Sequence, residues 1–280
     1  MLNETKNFTI LTTNHVINYN QILHNYIKNI EDKKKIELNE LMKQKGIITR
    51  KFDEMEVGAD LEHEYVDIFL ERNYSFRLSL KNKNLFDEMC RKLKYTSNNH
   101  NPLLLKNPHD YTNFLEIKKI YPDAKFIFIH RNPIKVINSV MHLWKTHFSS
   151  KNQYIALYSK RYEKCYDNIL IRLLLRFFYC SKFPISIIRE IFKVSKGNKN
   201  YLKNINKLSK KDFISITYEN LCNNPNKEIR NILDFLNLEC NINYDNYINK
   251  RTLGIKPEVE FMKNYILNKN ELYCDKFNYK

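Results

Sequence analysis

Across 280 residues the chain carries 47 Lys and Arg against 31 Asp and Glu, a formal net charge of +16 at pH 7, with 43% hydrophobic residues and only 4 glycines. That length and apolar content imply one large domain, or a core domain with a small appendage, and exclude a chain too polar to bury a core. No stretch of about 18 uncharged apolar residues occurs and Met1 leads into polar residues, so neither a membrane span nor a secretory signal is predicted.

The predicted elements follow in chain order. Residues 8–13, FTILTT, read as a short strand or the end of an element, and 20–45 as a lysine-rich surface helix. Residues 50–70 mix loop and helix and carry an acidic cluster. Residues 82–95, NKNLFDEMCRKLKY, have the apolar spacing of an amphipathic helix. An apolar strand at 103–105 stops before Pro108, and 110–120 is a helix whose apolar positions are Phe114, Leu115, Ile117 and Ile120. The run KFIFI at 125–129 is a strand. It ends at the polar turn HRNP, after which Val136, Ile137, Val140, Met141 and Trp144 resume at helical spacing. Residues 151–195 read as helical, 212–217 (DFISIT) as a strand, and 226–238 as a helix opened after Pro225. The segment 241–280 shows little pattern. Strands alternating with helices at this spacing predict an α/β fold with a central parallel sheet.

The strand–turn–helix at 125–144 is the strongest functional signal, because a basic turn between a strand and a helix is where α/β proteins hold phosphate. Arg131 opens that turn and offers paired guanidinium donors. Asn132 precedes Pro133 and is pushed toward extended backbone. Ser139, two turns into the helix, is a second candidate for the same anion. Lys106 ends the strand at 103–105 and is a candidate cation over the cleft, with His109 a weaker one. In the acidic cluster, Glu62 and Glu64 are candidate general bases, and His63 a third. The run ILIRLLLRFF at 169–178 admits two readings: a membrane-surface helix, or a core-facing helix whose arginines reach solvent.

Cysteines stand at 90, 165, 180, 222, 240 and 274, with no CxxC pair and no metal-ligand spacing to histidine. They read as reduced structural thiols, which favours an intracellular, cytoplasmic setting and no metal. The +16 charge suits anionic ligands, nucleic acid or an acidic membrane surface and does not choose among them.

The block LLLKNPHDYTNFLEIKKIYPDAKFIFIHRNPIKVINSVMHLW resembles the centre of the sulfotransferases that use 3'-phosphoadenosine 5'-phosphosulfate, with their K-[SN]-P-H, [FY]-P-D-A-[KR]-F, H-R-[DN]-P, S and L-W signature. ITYENLCNNPNKEIRNILDFLNL is similar to that family's strand and helix of the form YEDL…P…I…FLGL. RKFDEMEVGADLEHEYVDIF is similar to its acidic segment. The resemblance spans roughly residues 1 to 240. It implies a P-loop-like three-layer sandwich, a parallel sheet between helices, in one domain. It implies that Arg131 and Ser139 bind the 3'-phosphate, that Lys106 lines the cleft, and that Glu64, or Glu62, is the base. The co-substrate would be 3'-phosphoadenosine 5'-phosphosulfate and the acceptor a hydroxyl on a sugar, a lipid headgroup or a small alcohol.

One part of the family pattern has no match. The family opens on a strand and a glycine-containing loop of the form P-R-S-G-T-T that wraps the phosphosulfate, whereas this chain opens MLNETKNFTILTT and shows no P-x-S-G elsewhere. The resemblance therefore predicts a sheet lacking that first strand, an N-terminally truncated domain, and a polypeptide that is inactive or nearly so. Loss of a single oxyanion-type donor typically costs about 3–4 kcal/mol of transition-state stabilisation. Two other readings compete with an enzyme: a non-catalytic scaffold of the same fold, and a basic nucleic-acid-binding protein, for which no stripe of cations with stacking aromatics is found. The absence of GxxxxGK[ST] speaks against a P-loop kinase.

Overall fold

The computed structural model describes residues 2–97, 99–182, 184–239, 243–244 and 254–279. In chain order its strands and α-helices are β1 (Thr9–Ile10), α1 (Thr13–Ile17), α2 (Ile22–Ile27), α3 (Glu31–Gln44), α4 (Val66–Glu71), α5 (Lys83–Thr96), β2 (Leu103–Leu104), α6 (Phe114–Ile120), β3 (Phe126–His130), α7 (Pro133–Ser149), α8 (Gln153–Tyr158), α9 (Lys160–Asp167), α10 (Ile169–Cys180), α11 (Ser186–Asn204), β4 (Phe213–Thr217), α12 (Tyr218–Asn223), α13 (Pro225–Leu236), α14 (Pro257–Phe261), α15 (Lys263–Lys269) and α16 (Glu271–Phe277). The chain packs as two compact units. One comprises Lys6–Asp110 and Lys145–Arg176; the other comprises Met1–Thr5, Tyr111–Trp144 and Phe177–Lys280. Each holds one parallel strand pair, β1 with β2 and β3 with β4.

In the β1–β2 unit the register sets Thr9 against Leu103 and Ile10 against Leu104. The strand expected within 8–13 therefore forms and finds a parallel partner. It runs through Leu11 and Thr12, with no glycine, into α1. Helix α5 buries Leu85, Phe86, Met89 and Leu93, the face its periodicity predicts. Tyr65, Phe69 and Phe86 meet edge-on or tilted at 5.1–6.3 Å between ring centres. Leu38, Met42, Ile47, Ala59 and Tyr154 form a second cluster.

In the β3–β4 unit five residues pair in register, from Phe126 with Phe213 to His130 with Thr217. Phe114, Phe128, Tyr201 and Tyr273 build an aromatic core against this ladder. Helix α7 begins with Pro133, whose missing N–H costs nothing at a first helical turn, and the Asn132 side chain accepts from Ile134 N at 2.9 Å. Its inner face, Ile134, Ile137 and Met141, packs with Ile187, Ile191, Val259 and Ile266. Asn138 ties the 254–256 segment to α7, donating to the Gly254 carbonyl at 3.1 Å and accepting from Lys256 N at 2.9 Å.

Two expectations change. The stretch 151–195 is several helices, because Ser159 and Asn168 are extended and cap the helices that follow, with Ser159 accepting from Tyr162 N and Asn168 from Ile171 N. The supposedly irregular segment 241–280 contains α14, α15 and α16, whose Val259, Ile266, Tyr273 and Cys274 are buried. Their helices are short and separated by single residues, too short for a periodic signal. Cys90, Cys165, Cys180, Cys222 and Cys274 are free thiols, and Cys240 lies outside the described residues.

Candidate functional site

Within the β1–β2 unit, Glu64 and Lys106 come together. Lys106 stands two residues past the end of β2, and the Lys106 carbonyl accepts from Tyr65 N at 3.3 Å, which holds the acidic segment against the end of the strand. The Lys106 ammonium then stands 3.3 Å from the Glu64 carboxylate. Burial pushes the Glu64 carboxyl up, and the charge of Lys106 opposes that rise without cancelling it. A carboxylate with raised proton affinity beside a cation is suited to take a proton. His63 is buried, with Nδ1 3.1 Å from both the Asp67 carboxylate and Glu64 N, and its ring meets Tyr158 edge-on at 4.6 Å. That environment makes it part of the core. His109 stacks at a tilt on Phe76, 4.8 Å between centres.

The acidic segment also closes over the β1–α1 turn. Glu62 pairs its backbone with Thr12, and His63 N donates to the Leu11 carbonyl at 2.9 Å. The donors of that turn are all engaged. Thr12 N reaches His15 Nδ1 at 3.2 Å, Thr13 N the Leu61 carbonyl at 2.9 Å, Asn14 N the Ala59 carbonyl at 2.8 Å, and His15 N the Thr12 hydroxyl at 3.4 Å. Such a turn presents an anion with N–H groups only if they are free. Here they serve a capping box and the overlying segment. Burial lowers His15 to about 4, so the ring is neutral and able to accept from Thr12 N.

In the β3–β4 unit the turn after β3 is differently prepared. Arg131 lays its guanidinium over the Tyr218 ring at 4.4 Å, while its Nε is buried without a partner. Asn132 N donates to Glu219 at 3.4 Å, and the other oxygen of that carboxylate is buried and unpaired. Ser139 is half-buried on the second turn of α7, and among the described residues its hydroxyl has no partner. An unpaired buried guanidinium nitrogen carries an unmet demand for an acceptor. The residue before it is occupied otherwise: His130 is 1% exposed, bonds Tyr273 through Nδ1 at 2.9 Å, and stacks on Phe277 at 4.0 Å. Burial lowers it to about 3, which keeps it neutral.

Comparison with known proteins gives the family. The profile described as the Sulfotransferase family matches residues 14–179, more than half of the chain. The chain belongs to the Sulfotransferase family. Among solved structures, this sulfotransferase-family chain is similar to sulfotransferase STF9 from Mycobacterium avium, at 15% identity and a TM-score of 0.58, over 89% of this chain and 65% of that one. It thus spans about two thirds of that protein's length. The likeness shows the fold: α/β and P-loop-like, mostly helical with short parallel strands. A sulfotransferase from Alicyclobacillus acidocaldarius matches at 14% identity and a TM-score of 0.41, over 78% of this chain and 84% of that one. No curated protein matches significantly.

Sequence reasoning missed Thr12, His15, Tyr218 and Glu219. Thr12 lies inside the 8–13 stretch that reads as a short strand or the end of an element, although a threonine three residues before a side chain able to bond back is a capping signal. Tyr218 and Glu219 stand just past β4, the strand adjacent to β3 in the ladder. Among the described residues no group of three or more His, Cys, Asp or Glu is placed to hold a metal ion, and no helix is long and apolar enough to cross a membrane.

Proposed function

We propose that this sulfotransferase-family chain binds the adenosine 3'-phosphate of 3'-phosphoadenosine 5'-phosphosulfate through Arg131 and Ser139, and that the 280-residue polypeptide transfers the sulfuryl group to a hydroxyl acceptor marginally at most. Each unit supports the reading separately. Arg131, with its unpaired Nε, and Ser139, with an unpartnered hydroxyl, suit a phosphate. The turn from β1 to α1 does not suit the phosphosulfate, since Thr12, Thr13, Asn14 and His15 all have their N–H groups engaged. That engagement is the observation that carries the proposal.

When bound, such a donor supplies an activated sulfuryl group. Arg131 would hold and orient the nucleotide without reacting. Glu64 is the proposed base for the acceptor hydroxyl and Lys106 the cation that keeps it ionised, with Glu62 the second candidate base. No transfer step is assigned, because the backbone N–H groups of the β1–α1 turn are engaged within their own unit and are not free to stabilise a developing charge. The acceptor class stays at the level of a hydroxyl on a sugar, a lipid headgroup or a small alcohol.

The test combines calorimetric titration of the purified chain with the donor and a radiolabelled-sulfate transfer assay over a panel of those acceptors. Nucleotide binding without transfer is expected. Transfer at ordinary enzymatic rates, about 1–1,000 per second, would overturn the proposal.

A further inference from the structure

Helix α10 is amphipathic in the reverse sense. Arg172, Leu175, Arg176 and Tyr179 recur at helical spacing and form its inward stripe. Arg176 donates through Nε to the Phe148 carbonyl at 3.0 Å and through Nη2 to the Ser149 carbonyl at 2.7 Å, and Arg172 donates to the Tyr166 carbonyl at 3.4 Å. The opposite stripe, Leu170, Leu173, Leu174 and Phe177, has the same spacing and stands 70%, 55%, 60% and 62% exposed. Ile169, Ile171 and Phe178 widen it. A surface helix ordinarily turns such a stripe to the core. Here the charges are bonded inward and the large apolar side chains face out.

Charge decides what covers that face. The sequence between Asp167 and Glu190 holds Arg172, Arg176, Lys182 and Arg189 and no carboxylate. Lys160, Arg161 and Lys164 on the preceding α9 are exposed. A second copy docked on this face would bring the same cations to it, whereas an anionic surface would be attracted. The helix has 12 residues. At about 1.5 Å each it is roughly 18 Å long, too short for the ~30 Å core of a bilayer but suited to lie along its surface.

We infer that α10 is a membrane-docking helix: its outward stripe inserts among the lipids of an anionic bilayer while the flanking lysines and arginines meet the headgroups. Acceptors carried on lipid would then be within the protein's reach, but the inference stands apart from nucleotide binding.

Vesicle co-sedimentation tests it with the full chain and two compositions, phosphatidylcholine alone and phosphatidylcholine with about 30% phosphatidylserine. Binding to the anionic vesicles is expected to exceed binding to the neutral ones by at least about tenfold and to fall as salt is raised. Leu170→Glu with Leu174→Glu should abolish it while leaving the circular-dichroism spectrum unchanged. Because those charges touch only exposed positions, a conservative variant adds a second readout: a tryptophan introduced by Leu174→Trp should be quenched by brominated lipid. No binding to anionic vesicles, equal binding by the double variant, or an unquenched L174W would overturn the inference. So would light scattering that shows a stable dimer lost in the double variant, because the stripe would then be a self-interface.

Discussion

Arg131 is the residue on which the nucleotide assignment turns. Its guanidinium is stacked on Tyr218 and keeps an unpaired Nε, so it is oriented before any ligand arrives. Hydrogen bonds to a charged group contribute about 1.5–3 kcal/mol each, so Arg131→Ala should weaken binding of adenosine 3',5'-bisphosphate by roughly 10- to 150-fold in calorimetry; unchanged affinity would remove Arg131 from the site. Ser139→Ala removes one donor to the charged phosphate and should cost about 1.5–3 kcal/mol. Glu64 yields a separate test. Its carboxyl is raised by burial and held back by Lys106. Lys106→Met should therefore move the Glu64 titration further up, followed by carbon-13 NMR of labelled glutamate. A downward move would mean that the pair at 3.3 Å does not govern that carboxyl. The pairing itself was not legible in the sequence, because Glu64 and Lys106 lie 42 positions apart and are brought together by tertiary contacts such as the Tyr65 N to Lys106 carbonyl bond.

At the scale of elements, β3 and α7 were the most legible, since KFIFI, the turn HRNP and the apolar spacing beyond it all agree locally. What could not be read was that β3 ends in a core histidine. His130 is neutral because burial lowers it to about 3, below the ordinary value of 6.5. Between those values the unfolded chain binds a proton that the folded chain refuses, so stability is full above pH 6.5 and falls as the pH drops through the window. The slope from one such group is about 1.4 kcal/mol per pH unit. His15 and His147, both lowered to about 4 by burial, add to it in the same direction. Urea titrations at pH 7 and pH 5 should show this loss in the wild type and a smaller one in His130→Phe; an equal loss in the two would place the acid sensitivity elsewhere. The β1–α1 junction gives the complementary test. Thr12→Ala removes the cap and should destabilise the chain by about 1 kcal/mol. The three short helices of 257–277 were illegible for a simpler reason: each is too brief to show a period, and their burial depends on partners such as Ile137 and Tyr201 far away in sequence.

For the molecule as a whole, family and fold were legible because the central block carries them in contiguous residues, and the profile match over residues 14–179 agrees with it. The proposed 3'-phosphate site and the β1–α1 turn were not equally legible. A missing glycine-containing turn can be seen in a sequence, but the reason the existing turn cannot replace it is an account of hydrogen bonds. Thr12 to His15 spend every backbone N–H on the chain itself, while Arg131 and Ser139 keep donors to give. The net charge of +16 adds general attraction for anions and supplies no such selectivity. The central claim, a site competent for the 3'-phosphate and not for the sulfuryl group, is tested most directly by titrating the chain calorimetrically with adenosine 3',5'-bisphosphate and with adenosine 5'-phosphosulfate. The account predicts binding of the bisphosphate and no measurable binding of the phosphosulfate that lacks the 3' group. Equal affinities, or tighter binding of the phosphosulfate, would contradict it.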